Sequence, residues 1–448
     1  MASTETATPL VGDLSATAPR RIARRLLPFL FLLYITSFID RVNVGFAGLQ
    51  MTRDLHFSNE VFGFGAGIFF FGYGVLQIPG AILAETWSAR KWIATIMIAW
   101  GLLASLTGLI RSAAEFHAVR FLLGLAEGGF FPAVIVYLTH WFRQRDRAKA
   151  IGLFMAAVPV SNAVGAPIAG FLLGLNWLGL SGWRWLLILE GFPALLCGIV
   201  TIFYMNDCPR DARWLSSSER AWIAAELERE SVEKRSHRSG HLKILQAFRQ
   251  PVVLALAVSL SLINATGFGL NIWLPKFVRS FHGLNSFQIS LVAAIPPAFA
   301  IPAMLLCGWH SDRTNERRWH AALAAIVAGA GLVLSQATPN PVFIMAGFSI
   351  ATMGIMSYHP PYWVLPTRLL SDTTAAASLG FVNMFANLGS FSGPYMVGFL
   401  TDRTGTYVAG VLLLVSTAIL SGIVLMIPAG AGLSPRGSSV RAAMEARP

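Results

Sequence analysis

Four ionisable residues interrupt two otherwise apolar runs of this sequence. Asp40 and Arg41 lie in the first run, and Arg120 and Glu127 lie in a later one. An arginine keeps its charge and can bind a carboxylate through two parallel hydrogen bonds, whereas a buried carboxyl group can take up and release a proton. Charged groups at membrane depth usually mark the path of a substrate or a proton. The residue types therefore predict a site for an anion and a proton, with a fixed ion-pair network as the alternative.

The composition indicates that these runs cross a membrane. Of the 448 residues, 55% are hydrophobic and only 12% are charged, and the mean hydropathy is +0.60. A soluble domain carries about 25% charged residues. Apolar stretches of about 20 residues, bounded by polar turns, predict an all-α membrane protein with twelve transmembrane helices. The predicted helices are 26–48, 61–83, 92–110, 118–139, 150–174, 184–205, 252–275, 287–308, 319–337, 341–364, 375–400 and 407–428.

The net charge of +12 follows the membrane topology and does not indicate a nucleic-acid partner. Most of the lysines and arginines fall in the segments between alternate helices, as in proteins whose basic loops face the cytoplasm. This pattern predicts a multi-pass protein of the plasma membrane, the inner membrane of a bacterium, with both termini in the cytoplasm.

The sequence contains no signature of an enzyme. We find no metal-ligand spacing of His and Glu, no Gly-x-Ser-x-Gly elbow and no phosphate-binding loop. We therefore expect neither catalysis nor a bound cofactor or metal.

The chain repeats itself at long range. Several residue types recur at one constant spacing, which suggests a duplication, although chance coincidence among abundant Gly and Pro is the alternative. Because each copy spans an even number of helices, we expect two six-helix bundles with the same orientation and a site between them. Examples are Asn43 with Asn271, Arg90 with Arg318, Pro132 with Pro360, and Gly165 with Gly393.

The repeat and the hydropathy together predict five segments. Between the bundles, Ser216 and Glu219 have the spacing of a helix capping box, followed by alternating charges. We expect a solvated linker with an amphipathic surface helix. The segments are a cytoplasmic N-terminal tail (1–25), the first bundle (26–205), the cytoplasmic linker (206–250), the second bundle (251–428) and a cytoplasmic C-terminal tail (429–448).

Six stretches of the sequence resemble one known family. They are FIDRVNVGFA, YGVLQIPG, RFLLGLAEGGFFPAVI, PRDARWLSSSE, and YWVLPTRLLSD with FVNMFANLGSFSGP. Together they are similar to the anion:cation symporter family of the major facilitator superfamily, over nearly the whole chain. The resemblance implies the major facilitator fold and a small organic anion, such as a sugar acid, tartrate or an aromatic acid, that moves with protons or sodium.

The resemblance also implies roles for individual residues. Asp40 and Glu127 match acidic positions linked to proton coupling, and Arg41 and Arg120 match positions that bind the substrate anion or join a charge network. Polar positions that face the central cavity correspond to Tyr73, Gln77 and Asn387. The loops after the second and eighth helices hold the gating candidates Glu85, Arg90, Asp312, Arg313 and Arg318. The first of these loops departs from the family, because Glu85 is followed by Thr86, Trp87 and Ser88 in place of a basic residue, any residue and Gly.

Further candidates lie in the second half of the chain. His359 stands beside Pro360 in what we expect to be a broken helix, where it is either a substrate or proton-relay residue or a packing histidine. Asn383 and Asn387 are one turn apart on a helix and suit either a hydroxylated anion or hydrogen bonds between helices. Trp363 is a candidate for the cavity lining or for a contact with lipid.

These observations predict a secondary transporter that imports a small carboxylate by proton symport through alternating access. Binding of the anion to Arg41 or Arg120 would leave Asp40 or Glu127 free to take up a proton. Sodium-coupled or facilitative transport of an organic anion is the first alternative, and a membrane sensor or membrane enzyme is a remote one. The expected partners are the anion, protons and the lipid bilayer, and the expected state is a monomer.

Overall fold

The computed structural model describes residues 11–236, 250–281, 283–369 and 372–427, and these ranges are helical apart from short turns. No strand occurs within them. The first helices are α1 (Val11–Asp54), α2 (Asn59–Thr86), α3 (Ala89–Thr107), α4 (Ala113–Gly128), α5 (Phe130–Trp141), α6 (Gln144–Met155), α7 (Ala157–Leu172), α8 (Gly182–Tyr204) and α9 (Ser217–Ser236). They are followed by α10 (Pro251–Arg279), α11 (Ser286–Ala293), α12 (Ile295–Thr314), α13 (Arg318–Leu334), α14 (Pro341–Leu369), α15 (Asp372–Thr404) and α16 (Val408–Met426).

Nine helical segments in the described part of the chain are long and apolar enough to cross a membrane. Two of them join short helices, since α4 and α5 form the segment Ala113–Trp141 and α11 and α12 form Ser286–Thr314. The helix α13 is apolar but shorter. Predicted boundaries are less accurate than predicted helices: α1 begins at Val11, so residues 11–25, assigned to the N-terminal tail, are helical.

The chain divides into two compact units. The first comprises Met1–Arg238 and Asn271–Ala294, and the second comprises Ser239–Leu270 and Ile295–Pro448. The end of α10 therefore packs with the first unit. There the backbone of Ile272 lies against Gly45, where an added Cβ would be 2.8 Å from the Ile272 carbonyl oxygen. Arg279 Nη1 also donates a hydrogen bond to the carbonyl oxygen of Leu49 at 2.6 Å.

The surface helix predicted in the linker corresponds to α9, which packs against the first unit through some of its side chains. The Trp214 ring, just before α9, stacks on Trp141 at 5.5 Å between centroids, and Ile223 is only 1% exposed. Glu219 binds Arg21 at 2.8 Å. The predicted capping box is present, because the backbone N–H of Glu219 donates to the Ser216 hydroxyl and the Ser216 N–H donates to the Glu219 carboxylate. Residues 237–249 of the predicted linker lie outside the described residues.

Hydroxyl groups join the helices of the second unit. Ser259 on α10 shares hydrogen bonds with the Tyr358 hydroxyl at 2.7 Å and with the Ser421 hydroxyl at 3.0 Å. The Tyr362 hydroxyl donates to the carbonyl oxygen of Leu256 at 2.7 Å. These bonds tie α10, α14 and α16 together through groups that a lipid-facing surface could not satisfy.

Candidate functional site

An ion pair between α1 and α4 lies at the centre of the candidate site. Arg41 Nε donates to Glu127 Oε1 at 2.7 Å, and Arg41 Nη2 lies 2.6 Å from the same oxygen. The Ser37 hydroxyl, one turn earlier on α1, donates to that oxygen at 2.6 Å. Glu127 is fully buried, and its other oxygen, Oε2, makes no hydrogen bond to a described residue. Oε1 of Glu127 thus accepts all of the hydrogen bonds that this carboxylate makes with described residues.

The Arg120 guanidinium has no such partner. Arg120 is 2% exposed, and it makes neither an ion pair nor a hydrogen bond with any residue that the structure describes. It lies over the ring of Phe69, with Cζ 4.7 Å from the centroid, and within electrostatic range of Asp40 and Glu127. The guanidinium is therefore buried on an aromatic ring near two carboxylates without a hydrogen bond to either of them.

Close packing of α2 on α4 places aromatic rings beside these arginines. A Cβ at Gly124 would lie 2.0 Å from the carbonyl oxygen of Phe69, and one at Gly128 would lie 2.2 Å from that of Tyr73. Only glycine permits this approach. As a result the Tyr73 ring lies 4.6 Å from Arg41 Cζ, and Gln77 follows one turn later on α2 as another buried polar residue.

Asp40 points away from its neighbour Arg41, as adjacent helical residues must. Its carboxylate is 3% exposed and accepts a hydrogen bond from the Trp100 indole N–H on α3 at 3.1 Å. The four charged residues of the sequence-based prediction therefore lie in the first unit as one ion pair, Arg41 with Glu127, and two separately held groups, Asp40 and Arg120.

Sequence reasoning missed a fifth charged residue in this region. Glu190 on α8 is 8% exposed and accepts a hydrogen bond from the amide of Asn43 on α1. The signal was available, because Glu190 is the only acidic residue in the predicted helix 184–205.

The remaining candidates for substrate binding lie in the second unit. On α15, Asn383 is partly exposed. Its backbone carbonyl oxygen accepts a hydrogen bond from the side-chain amide of Asn387 at 3.0 Å. On α14, His359 is partly buried and meets the Tyr358 ring edge-on, and Trp363 is 37% exposed. The prediction of a broken helix at His359 is wrong, since α14 continues through the following prolines.

The five gating candidates each have a partner within their own unit. Glu85 lies 3.2 Å from His140, and Arg90 lies 3.7 Å from Asp207. In the second unit Asp312 pairs with Arg317 at 2.6 Å. Arg313 lies over Trp309, and Arg318 binds the carbonyl oxygens of Leu425 and Ile427.

A chain of three side chains stands beside the second gating loop. The His310 and His320 rings are joined by a hydrogen bond of 2.7 Å, and His320 Nδ1 lies 2.7 Å from Glu316 Oε2. Partial burial acts to raise the pKa of the Glu316 carboxyl group, but hydrogen bonds from the N–H groups of Trp319 and His320 outweigh it and hold that pKa below its usual value.

Known proteins are similar to this chain in both sequence and structure. A family model described as the Major Facilitator Superfamily matches residues 30–394. A putative tartrate transporter of Agrobacterium vitis is 40% identical over 93% of this chain and 95% of its own length. The putative metabolite transport protein NicT of Pseudomonas putida is 36% identical over 91% of this chain and 94% of its own.

The fold agrees with these relatives. The solved structure of a bacterial homologue of the human lysosomal transporter Spinster matches with a TM-score of 0.72 at 18% identity, and it covers 93% of this chain and 96% of that one. The prediction of an all-α membrane protein with the major facilitator fold is confirmed, and so is the prediction that the chain is not an enzyme, since its relatives are transporters. The chain therefore belongs to the Major Facilitator Superfamily and is a multi-pass membrane transporter.

Proposed function

We propose that this transporter imports a small organic anion together with protons by alternating access. The observation that carries the proposal is the buried Arg120, which lies on the Phe69 ring but makes neither an ion pair nor a hydrogen bond with a described residue. A buried cation without a bound anion is unfavourable, so the site favours a ligand that brings a carboxylate. The name of one relative, a putative tartrate transporter, supports a carboxylate substrate, and the name of another, a putative metabolite transport protein, supports a small molecule.

The first step is the binding of the anion to Arg120. The planar guanidinium can hold a carboxylate through two hydrogen bonds, and it does not lose its proton. Once bound, the anion neutralises the charge that Arg120 otherwise offers to Asp40. The buried Asp40 carboxylate is then without a compensating cation, so it takes up a proton.

Arg41 and Glu127 respond to the anion in the same way as Arg120 and Asp40. Glu127 holds Arg41 through one oxygen, and an anion that competes for Arg41 weakens this ion pair, so that Glu127 takes up a proton. Protonated carboxyl groups and anion-bound arginines together leave little uncompensated charge in the first unit, which favours the change of conformation that carries the substrate across. The direction is inward across the bacterial inner membrane, with both termini in the cytoplasm and the protein acting as a monomer.

Uptake into liposomes tests the coupling. Purified protein is reconstituted in sodium-free buffer, an inward proton gradient is imposed, and accumulation of labelled tartrate is measured. We expect accumulation above equilibrium that a protonophore abolishes. Accumulation that needs a sodium gradient, or equilibration without accumulation, would contradict proton symport and support the sodium-coupled or facilitative alternative.

A thermal-shift screen identifies the substrate class. A ligand that binds the folded protein raises its apparent stability by an amount that grows with ligand concentration. Tartrate, sugar acids and aromatic carboxylates are compared with the uncharged polyol erythritol as the matched control. Stabilisation by the polyol as strong as that by tartrate would refute an arginine-centred anion site.

A further inference from the structure

The buried side chains of Glu190 and Asn43 are joined by one hydrogen bond, and each has a second polar atom without a partner. The Asn43 amide nitrogen donates to Glu190 Oε2. The other two atoms, Glu190 Oε1 and Asn43 Oδ1, have no hydrogen-bond partner in the described part of the chain. Asn43 is 0% exposed and Glu190 is 8% exposed. Both unpartnered atoms are acceptors if the carboxyl group is ionised, so neither can satisfy the other.

No cation compensates Glu190 among the described residues. The helices that pack against α8 are α1, α3 and α7. The helix α7 contains no ionisable residue, and the charged residues of α3, Arg90 and Lys91, stand in its first turn. The charged group that acts on Glu190 is Asp40 on α1, which repels a second negative charge.

A proton on Glu190 Oε1 would give both of these atoms a hydrogen-bond partner. It converts Oε1 into a donor, and Asn43 Oδ1 is the acceptor without a partner. The acid and the amide then share two hydrogen bonds, and no isolated charge remains buried. Asn43 also stands one turn from Asp40 on α1, on the same face of that helix. Because Asp40 and Glu190 repel each other when both are ionised, release of a proton by one favours uptake by the other.

We propose that Glu190 is a third proton-carrying carboxyl group of this transporter, held by Asn43 and exchanging its proton with Asp40 during the cycle. The exchange moves one proton from the Glu190 oxygen to the Asp40 carboxylate and leaves the total charge of the pair unchanged. This inference rests on the proposed proton symport, but the presence of the proton on Glu190 can be measured without any substrate.

Infrared difference spectroscopy of the purified protein tests the proton. A protonated carboxylic acid has a carbonyl stretching band that an ionised carboxylate lacks. We expect Glu190→Gln to remove one such band at neutral pH, and Asn43→Ala to shift its frequency because the amide partner is lost. The matched control is Glu115→Gln, which replaces an exposed carboxyl group and should leave the bands unchanged. If Glu190→Gln loses no such band relative to the wild type, the proposal is overturned whether or not the protein transports tartrate.

Transport then tests the exchange. In liposomes, proton-driven uptake of tartrate should be slower in Glu190→Gln, because Asp40 then lacks its proton donor, whereas Glu190→Asp, which keeps a carboxyl group, should retain most of the wild-type rate. The band of Glu190 should also shift in Asp40→Asn, because its charged neighbour is removed. An unchanged rate of proton-driven uptake in Glu190→Gln would mean that the proton is held permanently, and this would refute the exchange. Absence of proton-driven uptake in the wild type would instead refute the proposed function and leave the spectra to decide the state of Glu190.

Discussion

Arg90 and Arg318 make the same kind of contact in their respective units. Arg90 Nη1 donates to the carbonyl oxygens of Ile202 and Met205 at the end of α8, and Arg318 Nη2 donates to that of Ile427 at the end of α16. Each arginine lies at the start of the third membrane helix of its repeat. Its guanidinium binds backbone carbonyl oxygens at the C-terminal end of the sixth membrane helix. The positive charge also suits the negative end of the helix dipole. This equivalence supports the duplication predicted from the sequence.

Replacement of Arg120 by lysine tests the anion site. Lysine keeps the charge but lacks the planar fork, so the bound carboxylate loses one of its two hydrogen bonds. A hydrogen bond to a charged group contributes about 1.5–3 kcal/mol, and we expect the Kd for tartrate to rise about tenfold or more. Binding is measured by calorimetry, with the exposed Arg111→Lys as the control. An unchanged Kd would show that Arg120 does not bind the anion.

Glu127→Gln separates proton coupling from substrate binding. Glutamine fills the same space and still accepts the Ser37 hydroxyl, but it cannot take up a proton or compensate Arg41. We expect uptake driven by a proton gradient to collapse while exchange of labelled for unlabelled tartrate persists. If the variant retains both activities equally, Arg41 and Glu127 form a fixed brace between α1 and α4.

Gly124→Ala tests the contact that brings α2 onto α4. The added methyl group would lie 2.0 Å from the Phe69 carbonyl oxygen, so the helices must separate. Overpacking of this kind destabilises by about 1–3 kcal/mol, and tartrate binding should weaken because Phe69 no longer supports Arg120. The control is Gly152→Ala in α6, where nothing lies within 4 Å of the added methyl group. Equal melting temperatures for the two variants would contradict this packing.

The stability contributed by Glu316 should depend on pH. Its pKa is lower in the folded protein than in the unfolded chain, so its contribution is fully present above the unfolded value of about 4.3 and is lost as the pH falls through the folded value. We expect Glu316→Gln to lower the melting temperature slightly at pH 7 and the difference from wild type to vanish in acid. A difference that stays constant from pH 7 to below pH 4 would refute the role of the carboxylate charge.

The sequence predicts the membrane helices, because long apolar runs are a strong signal. It also predicts that Asp40, Arg41, Arg120 and Glu127 belong to the site, because charged residues are rare within such runs. It does not predict which arginine meets which carboxylate, since that depends on how α1 and α4 are rotated. The position of α4 depends on the close approach of α2 at Gly124 and Gly128, which no periodicity reveals. The partners of the linker cannot be predicted for a similar reason, because Trp214 and Glu219 contact residues on helices far away in the chain.

The one-sided engagement of Glu127 has a consequence for the order of events in the proposed cycle. Ser37 and Arg41 both bind Oε1, and Oε2 stands unengaged among the described residues. An arriving proton can therefore settle on Oε2 while the arginine is still attached, and detachment follows as a distinct second event. Protonation of Glu127 then precedes the detachment of Arg41, so Glu127 is never ionised without Arg41 beside it.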